Sequence, residues 1–239
     1  MHLVNLAKRV FSQISRWIVR GIFWLVCRVH IRYFGEPPAG IGYIVASNHI
    51  SHFDPLLLGS CFRRYIDWMA MEELFRNPAS AILMNWLCAF KVQRDGTDRS
   101  GIRVALRRLE ESRVIGIFPE GGIRAGKGSV LEGAAMWPGV SAICVMAGKP
   151  IVPSVILGTD RLYRKRNWFS FRRVPVWIGI GEPIFPGADT SGTAARESVQ
   201  TSLASAFVAI KEKLVSEFKL SPNDLPATPQ GRKRENYLP

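Results

Sequence analysis

Asn48-His49-Ile50-Ser51-His52-Phe53-Asp54-Pro55 sets an imidazole and a carboxylate five positions apart, just after the apolar run Tyr43 to Ala46. A histidine held by a carboxylate can draw a proton off an alcohol near neutral pH, because its unperturbed pKa lies close by. A carboxylate partner fixes the imidazole tautomer and steadies the imidazolium that forms. A plainer alternative is equally compatible with the spacing. Pro55 favours the first helical position and pushes the residue before it out of the α region, so Asp54 can simply be a helix N-cap and His49 a packed ring. Metal binding competes for His49, His52 and Asp54. No histidine follows His52, however, and no carboxylate or cysteine stands at a ligand spacing, so no metal is expected.

Two later segments carry further chemistry. Phe90-Lys91-Val92-Gln93-Arg94-Asp95-Gly96 puts an arginine beside a turn at the end of an apolar run. A guanidinium there can grip a phosphate with two parallel hydrogen bonds. Phe118-Pro119-Glu120-Gly121-Gly122-Ile123-Arg124 closes another apolar run and enters a glycine-rich loop that also holds Lys127. Glycines there let backbone approach a ligand closely. Taken singly, each segment is also a normal structural turn.

The elements that must position these residues read as α/β. Strands are expected at Tyr43–Ala46, Ile66–Met71, Leu87–Val92, Val114–Phe118, Ile151–Leu157 and Val174–Ile180. Helices are expected at Leu56–Cys61, Glu72–Trp86, Asp98–Ser112, Val140–Ala147 and Thr193–Phe218. Their alternation predicts a single domain with a largely parallel or mixed sheet flanked by helices, spanning residues 35–220. The 239 residues suffice for one such core. In this kind of sheet a loop between strand and helix is where a site belongs.

Residues 3–27 read as an amphipathic helix. Leu3, Leu6, Val10, Phe11, Ile14, Trp17 and Ile18 recur at helical spacing, with Lys8, Arg9, Arg16 and Arg20 largely elsewhere. Arg20 and Arg28 bracket only seven positions without a basic residue, too few to cross a bilayer. A membrane-associating segment over residues 1–34 is therefore expected, lying in the interface. Packing on the domain's own core competes for Ile22–Cys27. Gly35-Glu36-Pro37-Pro38-Ala39-Gly40 reads as a linker, and residues 221–239, polar and proline-rich, as a flexible tail.

The net charge of +13 points to an anionic partner. Residues 1–40 carry six basic residues against one acid, Glu36. A second cluster (Arg161, Arg164, Lys165, Arg166, Arg172, Arg173) is interleaved with Tyr163, Trp168, Phe169 and Phe171. Such a mixture suits lipid headgroups and nucleic-acid stacking alike, and is also compatible with an ordinary solvated face. No helix-turn-helix, zinc-finger or RNP-like pattern favours nucleic acid. The four cysteines show no disulfide framework and read as reduced thiols.

Together and in this order, the three segments resemble the glycerolipid acyltransferases of the lysophosphatidic-acid acyltransferase type. Asn48-His49, Ser51 and Asp54-Pro55 are similar to the family's first motif, a histidine and aspartate with four residues between. Phe90 to Asp95 resembles the second, Phe118-Pro119-Glu120-Gly121 the third, and Ile151-Val152-Pro153-Ser154-Val155 the fourth. The resemblance spans residues 40 to 185 and implies a phospholipid-synthesising enzyme. It implies His49 as general base, Asp54 as its orienter, and Arg94 at the acceptor's phosphate. Asn48, Ser51, Glu120, Gly121 and Arg124 would line the acceptor site. The acyl donor would be acyl-CoA or acyl-carrier protein, the acceptor 1-acylglycerol-3-phosphate or a related lysophospholipid, with no cofactor. The protein would sit peripherally or monotopically on anionic lipid at the cytoplasmic face of the cell membrane. Where the family runs Glu-Gly-Thr-Arg, this chain has Gly122 and Ile123 between Gly121 and Arg124, and Glu132 stands before Gly133 where a basic residue is usual. Two other classes compete: a catalytically silent lipid-binding protein on the same scaffold, and a basic nucleic-acid-binding module.

Overall fold

A computed structural model describes residues 16–86, 88–92, 100–169, 173–187 and 192–227. Its frame is a seven-stranded mixed sheet. The strands are β1 (Cys27–Tyr33), β2 (Tyr43–Ser47), β3 (Ile66–Met71), β4 (Phe90–Val92), β5 (Val114–Ile117), β6 (Ile151–Leu157) and β7 (Val174–Ile180), in the order β1-β7-β6-β2-β5-β3-β4. All neighbours run parallel except β6 and β7. The helices are α1 (residues 16–26), α2 (Asp54–Cys61), α3 (Pro78–Trp86), α4 (Ser100–Glu110), α5 (Gly139–Ala147) and α6 (Thr193–Phe218).

The central strands β2, β5 and β6 are buried along their whole length and, Ser47 and Ser154 apart, apolar, because both of their faces are covered. Ile151, Val155 and Leu157 of β6 face a core closed by Leu109 of α4, Ile143 of α5 and Phe207 of α6. Val152 and Ile156 face a second core that includes Phe23 of α1 and Leu57 and Leu58 of α2. α6 buries Val199, Leu203, Phe207, Ile210 and Leu214, the stripe that a helix lying on a sheet requires.

Four expectations need correction. The helix predicted over residues 3–27 stops at residue 26, and its first thirteen positions lie outside the described residues. The chain continues directly into β1, which pairs along its whole length with β7. Cys27, Val29 and Ile31 alternate with Arg28, His30 and Arg32, the period of a strand, and the apolar set joins the core. Residues 27–33 thus belong to the sheet, inside the segment expected to end at 34. The helix expected over Glu72–Trp86 is a 3-10 turn at Glu72–Phe75 followed by α3, with Pro78 opening the second piece. Finally, part of the expected loose tail is built in. Ser221 and Asp224 form a capping box, Arg161 pairs with Asp224 at 2.8 Å, and Ala227 N–H donates to Asp160. Residues 228–239 lie outside the described set.

Smaller shifts of bounds are local. Ser47 extends β2, β5 ends at Ile117, and Asp54 and Gly139 begin their helices earlier than expected. Leu87, Asp98 and Arg99 are outside the described residues. Among the described residues no helix is long and apolar enough to cross a membrane.

Candidate active site

The adjacent parallel strands β6, β2 and β5 end on the same edge of the sheet, and their loops meet there. Asn48 leaves β2 with its side chain fully buried. Its amide donates to Ile156 C=O at 2.9 Å and accepts from Ile156 N–H at 2.8 Å. That reciprocal pair stitches the loop to β6, so Asn48 does structural work where a substrate contact was expected.

His49 follows. Its Nδ1 lies 2.9 Å from Asp54 Oδ2, with the imidazole 16% exposed and the carboxylate 0% exposed. An ionised carboxylate at that distance holds the proton on Nδ1 and leaves Nε2 with its lone pair. The ring stacks on Phe118 at 4.2 Å between centroids, and Phe118 stacks on Trp68 at 4.7 Å. Gly116 makes room for this pile. A Cβ there would sit 2.5 Å from the Trp68 ring.

Asp54 is not the N-cap. Phe53 occupies that position and makes no side-chain cap, while Asp54 is already helical and turns its carboxylate back onto the loop. Oδ2 accepts from Ile50 N–H at 2.7 Å and Ser51 N–H at 2.8 Å as well as from His49. Oδ1 accepts from Ser51 Oγ at 3.0 Å and from Thr159 Oγ1. Ser51, expected at the acceptor, therefore serves the carboxylate.

Glu120 comes from the loop after β5 and is also buried. Its Oε2 accepts His49 N–H at 2.5 Å, and its Oε1 accepts Ser129 Oγ at 2.7 Å and Val130 N–H at 2.9 Å. Burial raises its pKa above the ordinary carboxylate value, and these hydrogen bonds and His49 oppose the shift. Both oxygens are thus engaged by protein, and Glu120 fixes the His49 backbone. Gly121, at φ +64°, turns under Trp137, whose indole would meet a Cβ at 2.7 Å. Arg124 N–H donates to His49 C=O at 2.8 Å. Despite the two intervening residues, Arg124 is brought to the histidine, exposed at the rim. Glu132 pairs with Lys211 at 3.0 Å, and Lys127 is exposed on a 3-10 turn. Arg94 lies outside the described residues. Among the described residues, no group of three or more His, Cys, Asp or Glu is placed to hold a metal.

Residues 28–157 match the family model described as Acyltransferase. The chain belongs to the acyltransferase family. A protein of Bacillus subtilis (strain 168) named 1-acyl-sn-glycerol-3-phosphate acyltransferase is 28% identical over 148 residues, covering 62% of this chain and 69% of that protein. The crystal structure of the 1-acyl-sn-glycerophosphate (LPA) acyltransferase of Thermotoga maritima shares the fold. Its TM-score is 0.60 at 22% identity, covering 89% of this chain and 84% of that one. The motif residues of this acyltransferase separate in the structure into a hydrogen-bonded pair, His49 and Asp54, and a scaffold of Asn48, Ser51 and Glu120. Phe118, Trp68, Ser129 and Thr159 complete the scaffold. Phe118 was visible in its motif, while the others are joined to the site only by folding.

Glu120→Gln puts an amide N–H₂ against groups that are themselves donors. The variant should lose ~1–3 kcal/mol of stability, read as a lower urea midpoint, and should transfer acyl groups more slowly. An unchanged midpoint would mean that Glu120 does not bear the loop.

Proposed function

We propose that this acyltransferase esterifies the free hydroxyl of 1-acylglycerol-3-phosphate, or a related lysophospholipid, with an acyl group from acyl-CoA or acyl-carrier protein. The observation that carries this is His49 Nδ1 held on a fully buried carboxylate, with an edge of the imidazole left open. His49 Nε2 takes the acceptor's hydroxyl proton as the oxygen attacks the thioester carbonyl. The tetrahedral adduct then collapses, the C–S bond breaks, and the imidazolium returns the proton to the departing sulfur. An ester and a thiol result, with no acyl-enzyme and no cofactor. General-base assistance supplies ~10²–10⁴-fold, so positioning supplies much of the rest. Arg94 grips the acceptor phosphate, and Arg124 at the rim adds positive charge for it. The name of the Bacillus subtilis relative supports this acceptor.

We also propose that the protein works on an anionic lipid surface, on the cytoplasmic leaflet. α1 turns Phe23 inward against Phe53 and Trp168. Its outer side presents Trp17, Ile18, Trp24 and Leu25, all exposed, with Arg20 over the Trp17 ring. Arg173, whose guanidinium lies 4.4 Å from the Trp24 ring, extends the same face, and Phe169, next to Trp168, is 88% exposed. The two basic aromatic segments thus adjoin; Phe171 and Arg172 fall outside the described residues. Apolar side chains rimmed by arginines suit an interface where rings sit at headgroup level.

His49→Ala should abolish thiol release from acyl-CoA in the presence of lysophosphatidic acid while the protein still folds. Turnover at the unmodified rate would remove His49 as base. In the same assay Arg94→Ala should mainly raise KM for the phosphate-bearing acceptor, and an unaltered KM would take it out of the site.

For the surface, Trp24→Glu and Phe169→Glu should each weaken co-sedimentation with phosphatidylglycerol vesicles by about tenfold, as expected for losing one buried aromatic side chain. Equal partitioning of both variants and parent would move the contact elsewhere.

A further inference from the structure

Nothing in the four motif segments points to the turn after β6, yet it reaches the reactive pair. Gly158, at φ +93°, turns the chain where a Cβ would meet Pro175 C=O at 2.4 Å. Thr159 follows, fully buried, and its hydroxyl donates to Oδ1 of Asp54 across 105 residues of sequence. The next two residues fix the turn from its other side. Asp160 accepts Ala227 N–H at 3.0 Å, and Arg161 reaches Asp224 at 2.8 Å and Asn223 C=O at 3.1 Å.

We infer that Thr159 is a positioning residue for acyl transfer: its hydroxyl holds Oδ1 of Asp54 and thereby sets the carboxylate that orients His49. The inference rests on His49 being the base. The local partners of Asp54 cannot do this alone. Ile50 N–H, Ser51 N–H and His49 Nδ1 all converge on Oδ2, and Ser51 Oγ, the other donor to Oδ1, belongs to the same loop and also accepts from Phe53 N–H. Those bonds fix the carboxylate relative to its own loop. Thr159 ties it to the end of β6, so the imidazole is aimed relative to the sheet that carries the other site loops. A β-branched residue with few χ1 states suits the task, because its hydroxyl is pre-aimed.

The test compares Thr159→Val, which keeps the shape and removes the hydroxyl, with Thr159→Ser, which keeps the hydroxyl. Both are assayed by thiol release from acyl-CoA with 1-acylglycerol-3-phosphate, alongside His49→Ala. Thr159→Val should lower kcat by about 10- to 100-fold, the range for one hydrogen bond to a charged group. KM for both substrates should stay in place. Thr159→Ser should restore kcat. If His49→Ala is inactive while Thr159→Val keeps the parental kcat, Thr159 has no positioning role. Thr159→Ser as slow as Thr159→Val would trace the effect to the lost methyl, and would equally overturn the inference. An active His49→Ala would instead dispose of the base assignment itself.

Discussion

A carboxylate with no exposure to water must be compensated by the protein, and the burial of Asp54 is the constraint from which the site's architecture follows. Removing such a charge from water costs several kcal/mol even after relaxation. Here the compensation comes from donors surrounding both oxygens: backbone N–H groups of Ile50 and Ser51, the hydroxyls of Ser51 and Thr159, and His49 Nδ1. This requirement explains why the loop between β2 and α2 is so short and turns so tightly. It also explains why Ser51 stands between His49 and Asp54, and why Asp54 faces its own loop instead of capping α2. A carboxylate, unlike a neutral acceptor, also stabilises an imidazole that has taken up a proton.

A second buried carboxylate repeats the device one strand over. Glu120 collects His49 N–H, Ser129 Oγ and Val130 N–H. His49 is therefore held through its ring by Asp54, through its amide by Glu120, and through its carbonyl by Arg124 N–H. Add the stack on Phe118 and Trp68, and little freedom remains to the residue. Such rigidity is what effective proximity needs, since misplacement of a reacting group by an ångström costs orders of magnitude in rate.

Much of the frame was legible because its signals are local. β3, β6, β7 and α6 have the bounds that their apolar runs and breakers suggest. β1 was hidden because the apolar stretch from Ile22 to Cys27 reads as a continuation of the preceding helix, although Cys27, Val29 and Ile31 alternate as a strand should. The docking of residues 221–227 depends on Arg161 and Asp160, some sixty residues earlier, so composition alone suggested a tail. The spacing allowed the His49–Asp54 contact that the structure shows, but did not decide between it and a helix cap beside a packed ring. The duties of Asn48, Ser51 and Glu120 were not legible, since a polar residue inside a motif looks the same whether it faces a ligand or a neighbouring strand.

Phe53 joins this rigid site to the proposed lipid-facing side. It lies one residue before Asp54, and its ring meets Phe23 of α1 at 6.5 Å, Trp168 at 5.4 Å and Tyr163 at 5.8 Å between centroids. Tyr163 in turn accepts His52 N–H through its hydroxyl. The aromatic cluster therefore supports the His49–Asp54 loop on one side and α1 on the other. A lysophospholipid bound with its acyl chain in the bilayer exposes its hydroxyl and phosphate at headgroup depth. An enzyme acting on it needs its base at that depth without immersing a buried carboxylate in hydrocarbon, where charge is costly. Placing the amphipathic face on α1 and Phe169, and the carboxylates behind an aromatic layer, satisfies both demands with one packing arrangement.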